Sequence, residues 1–238
     1  MDKCTYEKET TKLFKRWMEK DTVRINGIAQ KREGFNEDGI VNPDVWFQLP
    51  QDKRILFVLK ETNNPEHETW SLTEMLHGEK ECNYTIWRRT AEWAKGILSC
   101  EAEKGADAYE WLTGSMTKEY IQKIAVLNLK KSPGGNSSKL DEITAYAEAD
   151  IELIEKEIGI IDPAVIVFGG TFDAFRNAYI KAALEKGECC PYYCYQTIAG
   201  RERLLIDYWH PAGRYPAVMT YYGIAGIYQA ALKGKAVR

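Results

Sequence analysis

Residues 164–170 read AVIVFGG, and residues 172–185 continue with a helix-like pattern of apolar and polar positions. A run that is apolar at every position is typical of a strand covered on both faces of a parallel sheet. The two glycines between the run and the helix-like segment predict a tight turn. This stretch therefore predicts a buried strand that leads into a helix packed on the sheet.

The same order of strand and helix occurs three more times along the chain. The other apolar runs are residues 54–59 (RILFVL), 124–129 (IAVLNL) and 204–208 (LLIDY). The helical segments that follow them in turn are residues 86–98, 140–158 and 217–232. This alternation predicts an α/β fold, with a three-layer α/β/α arrangement around a central, mainly parallel four-stranded sheet.

The N-terminal part of the chain lacks this alternation. It holds a helix-like segment, residues 7–19, followed by a polar stretch. We interpret residues 1–51 as an N-terminal helical extension packed on the fold, and residues 52–238 as one α/β domain. A chain of 238 residues is long enough for one large domain of this kind.

The composition excludes several classes of protein. The chain has 32 Lys and Arg residues against 35 Asp and Glu residues, so its net charge of −3 excludes a basic nucleic-acid coat protein. An apolar fraction of 45 % excludes a disordered chain. No run approaches the roughly 18 consecutive apolar residues of a membrane helix, and the charged N-terminal residues are unlike a signal peptide. We expect a cytoplasmic protein with no membrane partner, and we expect a monomer.

The six cysteines do not form a recognisable metal motif. None of them belongs to a CxxC pair, which is the usual sign of a zinc or iron–sulfur site. The cluster of Cys189, Cys190 and Cys194 is either a group of ordinary loop thiols or a weak metal candidate. We expect reduced thiols, no metal and no cofactor.

Polar residues follow each predicted strand. Ligands of α/β proteins bind outside the carboxyl ends of the strands, so these residues are the candidate site. They are residues 60–64 (KETNN), Asn128, residues 169–171 (GGT) and residues 209–211 (WHP). The long irregular segment at residues 63–83 follows the first of these strand ends and is typical of a site-forming loop.

Two of these features allow two interpretations each. Asn128 interrupts an apolar strand, so its carboxamide is either paired with neighbouring backbone or directed at a ligand. Residues 130–138, KKSPGGNSS, are either a solvated turn or a phosphate-binding loop ahead of a helix. The context of the whole chain has to decide between them.

The order of these motifs resembles the uracil-DNA glycosylase superfamily. Residues 128–133 (NLKKSP) are similar to the Asn-Leu-Val-x-Arg-Pro motif of its mismatch-specific branch, including the interval from Asn to Pro. Residues 162–170 (DPAVIVFGG) match its pattern of proline, apolar strand and glycine, and residues 210–212 (HPA) are similar to its His-Pro-Ser motif. Asn83, Trp87 and Arg88 resemble its Asn-Arg-Phe-Trp helix entry. The resemblance runs from about residue 54 to the C-terminus.

The resemblance implies hydrolysis of the N-glycosidic bond of uracil or another damaged base that has been flipped out of DNA, as in base excision repair. Glu61, or else Asn63, would orient the water and stabilise the cationic sugar. His210 would donate a hydrogen bond to the base oxygen that becomes negative. Asn128 would bind the edge of the base, and Trp70 would stack on it.

The resemblance also implies contacts with the DNA backbone. They would come from Lys130, Lys131, Ser132, Gly170 and Arg214. DNA is therefore the expected partner, and the acidic net charge predicts weak non-specific affinity.

Other interpretations remain open. The family reads Gly-Glu-Ala-Pro-Gly or Gly-Ile-Asn-Pro-Gly at its first motif, whereas residues 59–63 read LKETN here. This difference favours an alternative, a non-catalytic superfamily member that binds a nucleobase, nucleotide or nucleic acid. A third interpretation is a flavodoxin-like nucleotide-binding protein with phosphate at residues 132–138 and no role for His210. Structural explanations also exist: Glu61 could pair with Lys60, Trp70 could be a packed loop residue, and His210 could be satisfied at a strand end.

Overall fold

The computed structural model describes residues 1–64, 69–78, 84–135, 137–182 and 192–236. The helices are α1 (Lys3–Met18), α2 (Pro43–Trp46), α3 (Leu72–His77), α4 (Thr85–Ser99), α5 (Gly114–Ile121), α6 (Leu140–Ile161), α7 (Phe172–Ala182) and α8 (Ala217–Ala236), with a 3-10 turn at Gln51–Lys53. The strands are β1 (Thr22–Ile25), β2 (Ile28–Lys31), β3 (Asn36–Glu37), β4 (Gly39–Ile40), β5 (Ile55–Leu59), β6 (Trp70–Ser71), β7 (Ile124–Asn128), β8 (Val165–Gly169), β9 (Tyr193–Ile198) and β10 (Arg201–Tyr208).

The main sheet has six strands in the order β4-β7-β5-β8-β10-β9. Strand β5 pairs in parallel with β7 and β8, and β8 pairs in parallel with β10. The two edge strands, β4 and β9, are antiparallel to their neighbours. The α/β class is therefore confirmed, and each of the four apolar runs forms a strand. The expectation of four strands is corrected, because the sheet is mixed and has six.

The two edge strands lack the apolar pattern that marks the four central ones. Strand β4 has only two residues, which is too short for any periodicity. Strand β9 (YCYQTI) is partly exposed along most of its length, so it is not a continuous apolar run. By contrast, all five residues of β5, β7 and β8 are buried.

Alternate residues of the central strands face two different apolar clusters. Leu56 and Val58 belong to a cluster with residues of α1, α6 and α7. Ile55 and Phe57 belong to the other cluster, with residues of α3, α4 and α8. Both faces of the sheet are therefore covered, which explains why the strands are apolar at every position.

The predicted N-terminal extension is joined to the sheet. Strand β4 pairs with β7, with Gly39 opposite Val126. The indole Nε1 of Trp17 in α1 donates to Asp150 Oδ2 of α6 at 2.9 Å, and Arg32 after β2 makes two hydrogen bonds to the same carboxylate. Residues 1–51 thus supply one strand of the sheet as well as a covering helix. In the described part of the chain, no helix combines the length and apolar character needed to cross a membrane.

The parallel strands bring their carboxyl ends to one edge of the sheet. Leu59, the last residue of β5, is in register with Asn128 of β7, and Gly169 of β8 is in register with Tyr208 of β10. The loops that follow these four strands therefore meet at the place where α/β proteins bind their ligands.

Candidate functional site

The loops after β5 and β7 are bonded to each other beyond the ends of the strands. Lys130 N donates to Lys60 O at 3.0 Å, Gly134 N donates to Thr62 O at 2.8 Å, and Asn64 N donates to Gly134 O at 3.1 Å. A Cβ atom at Gly134 would overlap the carboxyl group of Glu61. Gly134 therefore has to be glycine for the two loops to approach this closely.

The site has two parts with different chemistry. We call the residues around the ends of β5 and β7 the buried half: Asp38, Glu61, Asn128, Lys130, Lys131, Glu142 and Glu157. We call the residues around the ends of β8 and β10 the open half: Gly170, Trp209, His210, Arg214 and Tyr215.

Lys131 is the centre of the buried half. Its side chain is only 1 % exposed, and its Nζ contacts Asp38 Oδ1 and, at 2.7 Å, Glu157 Oε2. Asp38 Oδ2 accepts two hydrogen bonds from Asn128, one from its backbone N at 2.7 Å and one from its Nδ2 at 3.1 Å. The Lys131 ammonium also lies 4.8 Å from the ring centre of Trp17. Asn128 is thus fixed by a carboxylate from the N-terminal segment.

The charges in this cluster do not balance, since two carboxyl groups share one lysine. Burial raises the pKa of Glu157 well above its ordinary value of 4.5, and Asp38 adds to this effect while Lys131 opposes it. Burial acts to lower the pKa of Lys131, but Asp38 and Glu157 outweigh it and raise that pKa. Lys131 therefore stays charged, and Glu157 is a carboxyl group that takes up a proton easily.

Lys130 forms a second buried ion cluster. Its Nζ lies 2.6 Å from Glu61 Oε2 and 2.5 Å from Glu142 Oε1, and it sits 5.3 Å from the ring centre of Tyr146. The side chains of Lys130 and Glu61 are 7 % and 5 % exposed. Burial acts to lower the pKa of Lys130, but the hydrogen bonds to Glu142 and Glu61 outweigh it and raise that pKa.

The predicted phosphate contacts in this loop are not at the surface. The ammonium groups of Lys130 and Lys131 are enclosed in ion pairs, and Ser132 is 5 % exposed. A phosphate could bind these ammonium groups only if the ion pairs broke. Asn63, in contrast, is exposed and forms a bridge with Gly134 in the joined loops.

His210 dominates the open half. The imidazole is half-buried, and its Nδ1 accepts a hydrogen bond from Ala212 N at 3.2 Å. Burial, together with the charge of Lys60, lowers the pKa of His210 to about 4. The ring is therefore neutral at physiological pH, and because Nδ1 is the acceptor, Nε2 carries the proton and is a hydrogen-bond donor.

Gly170 lies next to this histidine, in a backbone conformation that favours glycine. Its φ of +67° is left-handed, and a Cβ there would lie 3.6 Å from His210 Cβ. Its N–H donates to Tyr208 O at 2.8 Å, which ties the turn after β8 to the end of β10. Gly170, for which the resemblance implies a phosphate contact, is exposed, and its backbone N–H is the group that is bonded to Tyr208 O.

Trp70, the predicted stacking residue, is less exposed than the aromatic residues beside His210. Trp70 is half-buried in β6, which pairs with β3, and it packs against the apolar cluster that holds Phe57. Trp209 and Tyr215 stack on each other with ring centres 4.3 Å apart and planes at 18°. They are 44 % and 47 % exposed, and the exposed Arg214 precedes Tyr215. The exposed aromatic surface beside His210 is therefore formed by Trp209 and Tyr215.

Sequence reasoning missed two buried residues: Asp38 of the buried half, and Arg89, which contacts the open half. Asp38 is separated in the chain from its partners Asn128 and Lys131 by 90 and 93 residues. Arg89 in α4 donates to carbonyl groups of the loop after His210. A single sequence carries no signal for either contact, because each joins segments far apart in the chain.

A cavity of about 750 Å³ lies between α1, the segment around β4, and α3. Its lining includes Tyr6, Phe14, Asp38, Glu74 and His77. Of the two halves of the site, only Asp38 lies on its wall. Within the described residues, no group of three or more His, Cys, Asp or Glu side chains is arranged to hold a metal ion.

Several predicted features lie outside the described residues. These are residues 65–68 and 79–83 of the irregular segment, which include Asn83, together with Asn136, Cys189 and Cys190. Cys194, the third member of the predicted cysteine cluster, is buried in β9.

No family model matches the chain, and no curated protein matches it. Any functional assignment therefore depends on the residues at the strand ends.

Proposed function

We propose that this protein has the three-layer fold of the uracil-DNA glycosylase superfamily and hydrolyses the N-glycosidic bond of uracil or another damaged base flipped out of DNA. The observation that carries the proposal is the protonation state and position of His210. His210 is a neutral imidazole with a committed Nδ1 and a protonated Nε2, next to the glycine turn of the neighbouring strand. A donor of this kind suits a carbonyl oxygen that gains negative charge.

The chemistry needs such a donor because the base leaves as an anion. As the glycosidic bond stretches, negative charge moves onto the carbonyl oxygen of the base, and Nε2–H of His210 would donate to it. The lowered pKa of about 4 keeps the ring neutral during this step, so no buried cation has to be desolvated. A preorganised donor of this type contributes a few kcal/mol, or about a hundredfold in rate.

The sugar becomes cationic in the same step, and Glu61 would stabilise it. Lys130 donates to Oε2 of Glu61 at 2.6 Å, and the backbone of Gly134 packs against the carboxyl group, so the side chain is held in one position. In the proposed mechanism, Glu61 or the adjacent Asn63 orients the water that attacks the sugar carbon.

Asn128 would recognise the polar edge of the base. One of its amide hydrogens is used by Asp38, which fixes the orientation of the carboxamide. The rest of the group would pair with the base, as the resemblance of residues 128–133 implies. Arg214, with the stacked Trp209 and Tyr215, would contact the flanking nucleotides. The chain has a net charge of −3, so we expect weak non-specific DNA affinity.

The test is release of free base from single- and double-stranded oligonucleotides that carry uracil, hypoxanthine, xanthine or a thymine mispair. We expect release from at least one substrate and a loss of about a hundredfold for His210→Asn. His77→Asn is the matched control, because His77 ends α3 and lies outside both halves of the site. No release from any substrate would contradict the proposal.

A second function, binding without cleavage, is favoured by one observation. Glu61 and Asn128 both make buried polar contacts, with Lys130 and Asp38, and such contacts also suit purely structural roles. This function predicts a raised melting temperature with a nucleobase, nucleotide or oligonucleotide, since a ligand that binds only the folded state stabilises it. Binding without any base release would favour it over the glycosylase.

A further inference from the structure

Arg89 is a buried cation that contacts the loop following His210. Its side chain projects from α4 and the residue is 7 % exposed. Its Nη1 donates to Pro211 O at 3.1 Å and to Gly213 O, and its Nη2 donates to Tyr215 O at 3.0 Å. One planar guanidinium thus holds three carbonyl groups within five consecutive residues, a geometry that matches its fixed fork of donors.

The loop itself is closed by short-range contacts around His210. Gly213 N donates to His210 O at 2.8 Å, and Ala212 N donates to His210 Nδ1 at 3.2 Å. A Cβ at Gly213 would lie only 3.0 Å from His210 O, so the turn is tight. Ala212, whose N–H donates to His210 Nδ1, therefore lies between Pro211 and Gly213. The carbonyl groups of both neighbours accept hydrogen bonds from Arg89.

Burying a guanidinium costs free energy, and at Arg89 hydrogen bonds to neutral carbonyl groups offset that cost in place of an ion pair. Within the described residues, Arg89 makes no ion pair shorter than 4.0 Å. The preceding residue, Arg88, differs: its guanidinium lies 3.8 Å from the ring centre of Trp111, and its Nε lies 3.8 Å from Glu92 Oε1. Arg88 therefore offers a matched arginine on the same helix.

We propose that Arg89 is the positioning residue of His210, because its guanidinium holds the loop in the one conformation in which Ala212 N–H donates to Nδ1 and Nε2 is left as the donor. The catalytic use of this positioning rests on the proposed function. The positioning itself is a property of the free protein and is measured without substrate.

The experiment is nitrogen-15 NMR of the three histidines in the full-length chain, with the His210 signals identified by their loss in His210→Gln. For the wild type we expect an unprotonated Nδ1, a protonated Nε2 and slow hydrogen exchange at Ala212 and Gly213. In Arg89→Met and Arg89→Lys we expect mixed tautomers, at least about tenfold faster exchange at both amides, and a His210 pKa that rises toward its ordinary value. Arg88→Met should keep the wild-type signature.

The lysine variant separates geometry from charge, because it keeps the positive charge but one Nζ cannot span three carbonyls. A wild-type signature in either folded Arg89 variant would overturn the proposal. If both variants fail to fold, the wild type still decides: unprotected Ala212, or a proton on Nδ1, would overturn it. Absence of glycosylase activity leaves these signals unchanged, so failure of the proposed function is distinguishable.

Discussion

The two halves of the site hold their polar groups in opposite ways. In the buried half, Lys130 and Lys131 are each paired with two carboxyl groups, and Asn128 is bonded to one of those carboxyl groups. In the open half, His210 is neutral, and its Nδ1 accepts a hydrogen bond from the backbone. The guanidinium of Arg89 is bonded to backbone carbonyl groups of the loop that follows His210. The lysines of the first half are enclosed in ion pairs, whereas Trp209, Arg214 and Tyr215 of the second half are exposed.

The largest expected effect concerns the charge balance of the buried half. Lys131→Met leaves the carboxyl groups of Asp38 and Glu157 buried without their cation, so we expect the free energy of unfolding to fall by about 3–5 kcal/mol. Urea denaturation measures it. Lys123→Met is the control, because Lys123 pairs with Glu119 at the surface and should cost at most about 0.5 kcal/mol. Equal losses in the two variants would contradict the conclusion that Lys131 compensates two buried carboxyl groups.

A second prediction concerns the two tryptophans. Trp209→Ala should weaken binding to single-stranded, uracil-containing DNA by about 1–3 kcal/mol, since one base loses its stacking partner. Trp70→Ala should instead lower the free energy of unfolding and leave DNA affinity unchanged, because Trp70 packs against the core. Fluorescence anisotropy and urea denaturation measure the two quantities. The reverse pattern would favour Trp70, the stacking residue that the family resemblance implies, over Trp209.

The halves should also respond to pH in opposite directions. The pKa of Glu157 is raised on folding, so its contribution to stability is full below 4.5 and is lost as the pH rises through its folded pKa. In Glu157→Gln we therefore expect a smaller loss of stability from acidic to neutral pH than in the wild type. Denaturation curves across this range test the sign, and an unchanged difference would contradict it.

The smallest expected effect is the acid response of the open half. The pKa of His210 falls from 6.5 to about 4 on folding, so its contribution is full above 6.5 and is lost as the pH falls through 4. His210→Gln should therefore lose less stability than the wild type when acidified over this interval. The histidine is half-buried, which limits the size of the effect. A steeper loss in the variant would show that the wild-type imidazole is not neutral.

The contrast between the halves also explains what the sequence predicts well. The four central strands and their helices follow from continuous apolar runs, because strands such as β8 (VIVFG) are buried at every position. The same patterns predict that His210 and Gly170 lie near each other, because the ends of parallel strands meet at one edge of the sheet. The open half is therefore mostly a consequence of local sequence and topology.

The buried half could not be predicted in the same way. Adjacent lysines in a glycine-containing loop favour an exposed, phosphate-binding turn, yet Lys130 and Lys131 are buried. Their carboxylate partners include Glu61 and Asp38, which lie 69 and 93 residues away. One sequence cannot show which distant carboxylates compensate a lysine. For the same reason, nothing in the sequence distinguishes the role of Arg89 from that of Arg88.

Base release that depends on His210 is the most direct test of the central claim. Free uracil released from a single-stranded uracil oligonucleotide would be quantified for the wild type, His210→Asn and the control His77→Asn. We expect release by the wild type and the control, and a rate about a hundredfold lower for His210→Asn at an unchanged melting temperature. Equal rates for all three proteins, or no release by any of them from uracil or the other damaged bases, would contradict the account.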